Sequence, residues 1–239
     1  MSALVVLYRD DRLVAVDKPA GMVVHRSEQC PDGVPVLQNL RNQIRRRVWP
    51  LHRLDRATSG VLLFALDADA ARQLSQQFER HEIDKRYHAI VRGWTELVGS
   101  VDWPLREHPD APFVQATTSY RRLATLELPI PLGAHATVRY ACVEAQPHTG
   151  RMHQLRRHFA HLRHPIVGDV RHGDGKHNRI FRALGLSGMM LRAVSLTIRD
   201  LDDRELTIVA PPTGLIAEAL VRLPFARDQA VAPPSITSV

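Results

Sequence analysis

The stretch His52-Arg53-Leu54-Asp55-Arg56 sets one carboxylate among cations, followed by Ala57-Thr58-Ser59-Gly60 and an apolar run from Val61 to Leu66. Guanidinium groups nearby favour the charged form of a carboxyl. An ionised carboxylate held against a sugar can act as a nucleophile or stabilise positive charge developing at an anomeric carbon. The plainer reading of Asp55 is a turn cap, or a charge that neutralises a basic surface. A second candidate lies in Gly150–His164, where Met152, Leu155, Phe159 and Leu162 recur at the spacing of one apolar helix face. Arg156 falls at the edge of that face, about 40° from Met152. A guanidinium placed there is partly buried and needs an acidic or carbonyl partner. Asp55 is a candidate for that partner. A snorkelling side chain with its stem on the core is the alternative.

The same segment holds His153, His158, His161 and His164. His158 and His161 are three apart and could share a metal, but no HExxH pattern accompanies them. A basic face meeting RNA phosphates through Arg151, Arg157, Arg163 and Arg171 is the better reading. Tyr87, in Lys85-Arg86-Tyr87, could stack on an unpaired base or be an ordinary sheet-face tyrosine. Neither a Walker loop nor a dinucleotide-binding glycine motif occurs.

These side chains need a frame. Ala3–Tyr8 and Leu13–Asp17 read as neighbouring strands joined by a polar turn, and Lys18–Gly21 as a Pro/Gly turn before a short extended piece at Met22–His25. Val36, Leu37, Leu40 and Ile44 mark one helix. A second is expected from Ala68 to Arg80, and a third over Gly150–His164, stopped by Pro165. Further strands are expected at Lys85–Gly93, Val114–Tyr120, Arg122–Leu128, Thr137–Ala145, Met190–Ile198 and Glu205–Val209. Glu96–Pro112 reads as loop, and a short helix follows Pro212. Strands outnumber helices and often adjoin in sequence, so the fold class is α+β with a mixed, mostly antiparallel sheet. The organisation expected is one catalytic domain over 1–225 and a frayed tail over 226–239.

Bulk properties narrow the partners. With 44% hydrophobic against 24% charged residues, the chain is globular rather than disordered. A formal net charge of +7 favours a polyanion, nucleic acid first. Two distant cysteines, Cys30 and Cys142, exclude a disulfide scaffold and a thiolate zinc site and fit a reducing compartment. The longest apolar runs fall far short of the roughly 18 residues a membrane helix needs. The first residues lack a signal peptide's basic start and cleavage site. A cytoplasmic protein without a membrane partner is expected.

The segments together resemble the RluA-type pseudouridine synthases. His52–Gly60 is similar to that family's catalytic signature, Lys85–Tyr87 to its second motif and Thr149–His158 to its third; His164–Gly173 and Leu7–His25 also fit. The resemblance runs in order from about Val5 to Pro211. Gln77–Trp94 and Gln154–Asp169 look especially like a branch that modifies tRNA at uridine 65. The lack of a basic RNA-binding module before the catalytic region agrees with that branch.

The resemblance implies an α+β pseudouridine-synthase fold with a central cleft and an isomerase that needs neither cofactor nor metal. Asp55 would be the catalytic aspartate that permits cleavage of the N1–C1′ bond. Tyr87 would stack on the flipped uracil and handle the C5 proton. Arg156 would pair with Asp55, Arg53 would occupy the gap left by the extruded nucleotide, and His52 and Leu54 would shape the loop. The partner would be tRNA and the protein a monomer. The alternatives are a 23S rRNA enzyme of the same family or, from a different class, a non-catalytic RNA-binding factor. One departure stands out: Leu191-Arg192-Ala193 occupies the place where the family usually has Leu-His-Ala.

Overall fold

The computed structural model describes residues 3–25 and 34–228. The chain opens with a hairpin of Val5–Arg9 (β1) and Leu13–Lys18 (β2). Asp10 closes its turn, its Oδ1 accepting the backbone N–H groups of Arg12 at 2.8 Å and Leu13 at 2.6 Å, a local bond that suits Asp to turns. Val36–Ile44 (α1) and Trp49–Pro50 (β3) lead to the Asp55 loop, which feeds Ser59–Ala65 (β4). Ala68–Glu79 (α2) follows, its N-terminus capped by Asp67 accepting the Ala70 N–H at 2.8 Å. Then come Asp84–Arg92 (β5), Val98–Asp102 (β6), Thr117–Leu128 (β7) and Val138–Pro147 (β8). Gln154–His161 (α3) and Gly175–Ala183 (α4) precede Leu191–Arg199 (β9) and Glu205–Val209 (β10). Gly214–Arg222 (α5) and Ala226–Arg227 (β11) end the described chain.

The strands form a single sheet of order β1-β2-β4-β9-β5-β8-β7-β11, with β3 also on β4, β10 on β9 and β6 on β7. The fold is α+β as expected. Among the described residues every pairing is antiparallel except that of β4 with β9, where Ser59 lies opposite Arg192 and Gly60 opposite Ala193. Gly60 has φ +112°, and a Cβ there would overlap the backbone carbonyl of Ala193. Only glycine permits that approach. Gly60–Ala65 is wholly buried, with apolar clusters on both faces of this half of the sheet. A strand covered on both sides reads as a continuous apolar run, not an alternating one. The third cluster packs β5, β7 and β8 against α3, α4 and α5.

Several expectations needed correction. Met22–His25 lies outside any strand, although the carbonyls of Val23 and Val24 accept the N–H groups that start α1. Glu96–Pro112 contains β6, whose Gly and Ser carry little strand propensity; pairing along β7 supplies it. The two strands expected over Val114–Leu128 are one, β7, bulged between Arg122 and Ala124. The third helix begins only at Gln154. Its Oε1 accepts from Thr149 Oγ1 and the Arg151 N–H, which holds the residues ahead of the helix in a turn. Helix α4, capped by Asp174 at its start, has no counterpart among the expected elements. The first three residues assigned to the expected tail are bonded to β7. Ala226 and Arg227 pair with β7, and the Asp228 carboxylate accepts from Arg122 Nε at 2.9 Å and Nη2 at 3.2 Å. The rest of that tail, and Cys30, lie outside the described residues.

Candidate active site

The loop from Leu51 to Thr58 is pinned at three points, and Asp55 is what it presents. His52 Nε2 accepts the Leu63 N–H of β4 at 3.1 Å, and its ring stacks on Phe78 of α2 at 5.2 Å. Burial, with Lys85 adding, lowers the His52 pKa to about 3, so the ring is neutral and its acceptor nitrogen free to take that bond. Leu54 packs with Val14, Val16 and Leu62 in the core beneath. Lys18, at the end of β2, is fully buried and spends its ammonium protons on the carbonyls of Pro19, Met22 and Arg56. That clamp ties the β2 turn to the Asp55 loop. Burial lowers the Lys18 pKa to about 8, against a raising effect of Asp55. Within the loop the Thr58 N–H donates to the Asp55 carbonyl, so the backbone turns at Asp55 before entering β4.

Arg156 reaches Asp55 from α3. Its Nη1 donates to Asp55 Oδ2 at 2.8 Å. On its other edge Nε and Nη2 donate to the two oxygens of Asp169 at 2.7 and 2.9 Å. Asp169 also accepts the backbone N–H groups of Arg171 and His172. Arg156 is 8% exposed; a guanidinium so placed requires both good geometry and charge compensation, and the two carboxylates provide them. The helix-edge position read from the sequence thus has the expected partner, plus a second that periodicity could not reveal. Hydrogen bonds from Arg156 and the backbone hold the Asp169 carboxyl below its ordinary range, although burial opposes this.

Asp55, Arg53, Tyr87 and Arg156 line one cleft of ≈ 380 Å³, with Lys85 and His153 beside them, a volume suited to a ligand of nucleoside size. Tyr87 sits in β5, where the register against β9 shifts between Arg86 and Tyr87. Bulges next to functional sites re-aim a side chain. Burial, reinforced by the charge of Asp55, raises the Tyr87 pKa, so the phenol keeps its proton. Arg53 is exposed at the mouth, and the Arg56 Nε donates to the Gly21 carbonyl away from Asp55. Of the cations adjacent in sequence, neither Arg53 nor Arg56 makes the tight pair with Asp55. Arg156 makes it.

The histidines of the third motif are spread apart. His158 is buried, its ring nitrogens at Thr118 Oγ1 and the Trp103 carbonyl, while His161 stacks on Trp103 at 4.1 Å. No group of three metal-ligating side chains occurs among the described residues. Arg163 and Arg171 are exposed, whereas Arg151 and Arg157 bond the carbonyls of Gln115 and Arg106. Arg192 leaves the cleft entirely. It lines a second cavity of ≈ 370 Å³, where its Nη2 donates to Asp17 Oδ2 at 2.7 Å and to Pro211 O and Thr213 Oγ1. The residue that departs from the family pattern therefore braces β2 against β9 instead of touching Asp55. Sequence reading missed Lys18, Lys85, His153 and Asp169 as parts of the site. Lys18 carried the signal of a charge closing an apolar run, while Lys85, His153 and Asp169 lay inside the matching segments without a role assigned to them.

No helix among the described residues is long and apolar enough to cross a membrane. The family model described as RNA pseudouridylate synthase matches residues 12–161. The tRNA pseudouridine synthase C of Vibrio cholerae is 52% identical over 205 residues, covering 81% of this chain and 84% of its own. The protein of that name from Salmonella typhimurium is 54% identical over 188 residues, covering 74% and 72%. Among solved structures, human RNA Pseudouridylate Synthase Domain Containing 4 superposes with TM-score 0.73 at 27% identity, over 93% of this chain and 94% of that one. Human RNA Pseudouridylate Synthase Domain Containing 1 shares the fold, with TM-score 0.74 at 23% identity over 97% and 91%. The chain thus belongs to the RluA-type RNA pseudouridylate synthase family, whose members are isomerases.

Proposed function

We infer that this protein isomerises uridine to pseudouridine in tRNA, at uridine 65, with Asp55 as the catalytic carboxylate. The observation that carries the reading is a carboxylate held 2.8 Å from a buried guanidinium in a nucleoside-sized cleft. The names of the bacterial relatives support tRNA as the substrate. Isomerisation breaks the N1–C1′ bond, turns the uracil, and joins C5 to the same sugar carbon. The proton on C5 leaves and N1 gains one, so no redox partner or group donor enters the balance.

The uridine must first leave its stack, which costs a few kcal/mol. Arg53, exposed at the mouth, fills the space the nucleotide vacates, and the Tyr87 ring stacks on the extruded base. Arg156 holds Asp55 against the sugar, with Asp169 behind it. Asp55 serves the cleavage of the glycosidic bond at C1′. Because Tyr87 stays protonated, it takes the C5 proton only as it passes its own to water.

The test is tritium release from [5-³H]uridine-labelled unmodified tRNA, with nucleotide-resolution mapping of the product. Wild-type protein should release one tritium per tRNA from position 65. Asp55→Asn should lower turnover by at least about 10³-fold with tRNA affinity retained. Full turnover in that variant would remove Asp55 from the chemistry. Modification of 23S rRNA in place of tRNA would move the substrate to the ribosome.

A further inference from the structure

His153 stands beside Asp55 in a conformation that the fold must enforce. It has φ +54°, at the start of α3, in the left-handed region that non-glycine residues rarely enter. Its ring Nε2 lies 3.8 Å from Asp55 Oδ2, the oxygen that already accepts from Arg156. Its Nδ1 lies 3.0 Å from the Nε2 of His172. Among the described residues Asp55 Oδ1 has no such partner, and Asp55 lines the cleft.

We propose that His153 is a positioning residue for Asp55: held by His172 in the Nε2–H tautomer, it donates to Oδ2 when substrate closes the cleft, which leaves Oδ1 as the oxygen that meets the sugar. This rests on the reading of Asp55 as the catalytic carboxylate. A neutral imidazole carries one N–H. Were it on Nδ1, directed at His172, a bare lone pair on Nε2 would face a carboxylate. With the proton on Nε2 the contact becomes attractive, and the Nδ1 lone pair accepts from His172 Nε2–H. Electrostatics and the His–His bond therefore select the same tautomer.

The charged and titratable surroundings keep the ring neutral. Asp55 faces it from the loop before β4, Arg156 from α3, and His172 and Arg171 from the segment after α3, with Asp169 bonded to that segment's backbone. Burial, together with the cationic neighbours, outweighs Asp55 and lowers the His153 pKa to about 4. At 3.8 Å the contact is longer than a hydrogen bond. Contacts of this kind tighten in the substrate complex. With Arg156 and His153 both on Oδ2, the carboxylate cannot rotate to exchange its oxygens.

Three measurements test this. In the long-range ¹H–¹⁵N spectrum of the wild-type protein at neutral pH, His153 should show a protonated Nε2 and a bare Nδ1; the opposite tautomer would overturn the assignment whether or not any variant folds. On labelled unmodified tRNA, His153→Asn should lower kcat by about 10–100-fold, the usual loss for an orienting partner, with KM within about twofold. His153→Gln, which returns an N–H near the ε position, should recover most of that loss. His172→Phe should mix the tautomers and lower kcat, whereas His172→Gln, which keeps a donor, should not. Asp55→Asn is run in parallel. If it is inactive while His153→Asn turns over normally, the positioning role is wrong and the catalytic one stands. If Asp55→Asn itself is active, the functional reading fails first.

Discussion

Arg156 grips two carboxylates, and it grips them differently. Asp169, with a side chain 1% exposed, accepts both N–H groups of one guanidinium edge and two backbone N–H groups. Asp55, with a side chain 24% exposed, accepts a single N–H and faces an open cleft. One is a fully satisfied anchor; the other keeps bonding capacity in reserve. The same guanidinium thus separates the two roles. A saturated buried acid serves the fold, and an under-saturated acid at a cavity wall is available to a substrate.

Exchanging the two substitutions should break that comparison or sharpen it. Asp169→Ala leaves a buried guanidinium short of a partner and should cost about 3–5 kcal/mol of stability, read as a fall in the urea midpoint. Asp55→Asn should change stability by less than about 1 kcal/mol while abolishing turnover. Equal losses of stability in the two would erase the distinction.

Acid should next weaken the loop that presents Asp55. The His52 pKa lies at about 3 in the folded protein against an ordinary value of 6.5, and that of His153 at about 4. Above pH 6.5 both rings are neutral, folded or unfolded, and add no pH dependence. As pH falls below 6.5 the unfolded chain binds protons that the native rings refuse, so stability declines at about 1.4 kcal/mol per pH unit for each ring. Urea midpoints between pH 7 and pH 5 should show the decline, and His52→Gln should flatten it. Unchanged slopes in that variant would mean that His52 takes a proton in the fold.

The smallest effect belongs to the surface. Arg12 and Asp67 meet at 2.7 Å with both side chains more than a third exposed. Arg12→Ala should leave the urea midpoint nearly unchanged, and any small loss should shrink further at high salt. A large loss would show that geometry alone, without burial, sets the strength of an ion pair here.

The sequence exposes some of this and conceals the rest for physical reasons. Arg156 was legible because a helix imposes a period, so a charge at the edge of an apolar face is visible as such. Its link to Asp55 then followed from chemistry, a buried cation wanting an anion. Asp169 had no period to betray it, since it lies in a turn between helices. Its role depends on backbone N–H groups that any residue carries. β6 was hidden because its strand character comes from β7 rather than from Val98–Asp102. The His153–His172 contact was hidden because one ring precedes α3 and the other follows it. The split of Val114–Leu128 into two strands took a bulge for a break. Tyr87 was visible as an aromatic among cations, but the bulge beneath it that turns the ring was not.

The parallel seam between β4 and β9 has a temporal consequence. The chain supplies its aspartate early, yet the ledge opposite Gly60 is the backbone of Ala193, and Arg156 and Asp169 lie between the two. During synthesis, which proceeds from the N-terminus, a nascent polypeptide carries the acid long before the strand that seats its loop has emerged. Such a fragment lacks the ledge against which the loop is seated, so the carboxylate gains its fixed setting only once β9 has been made.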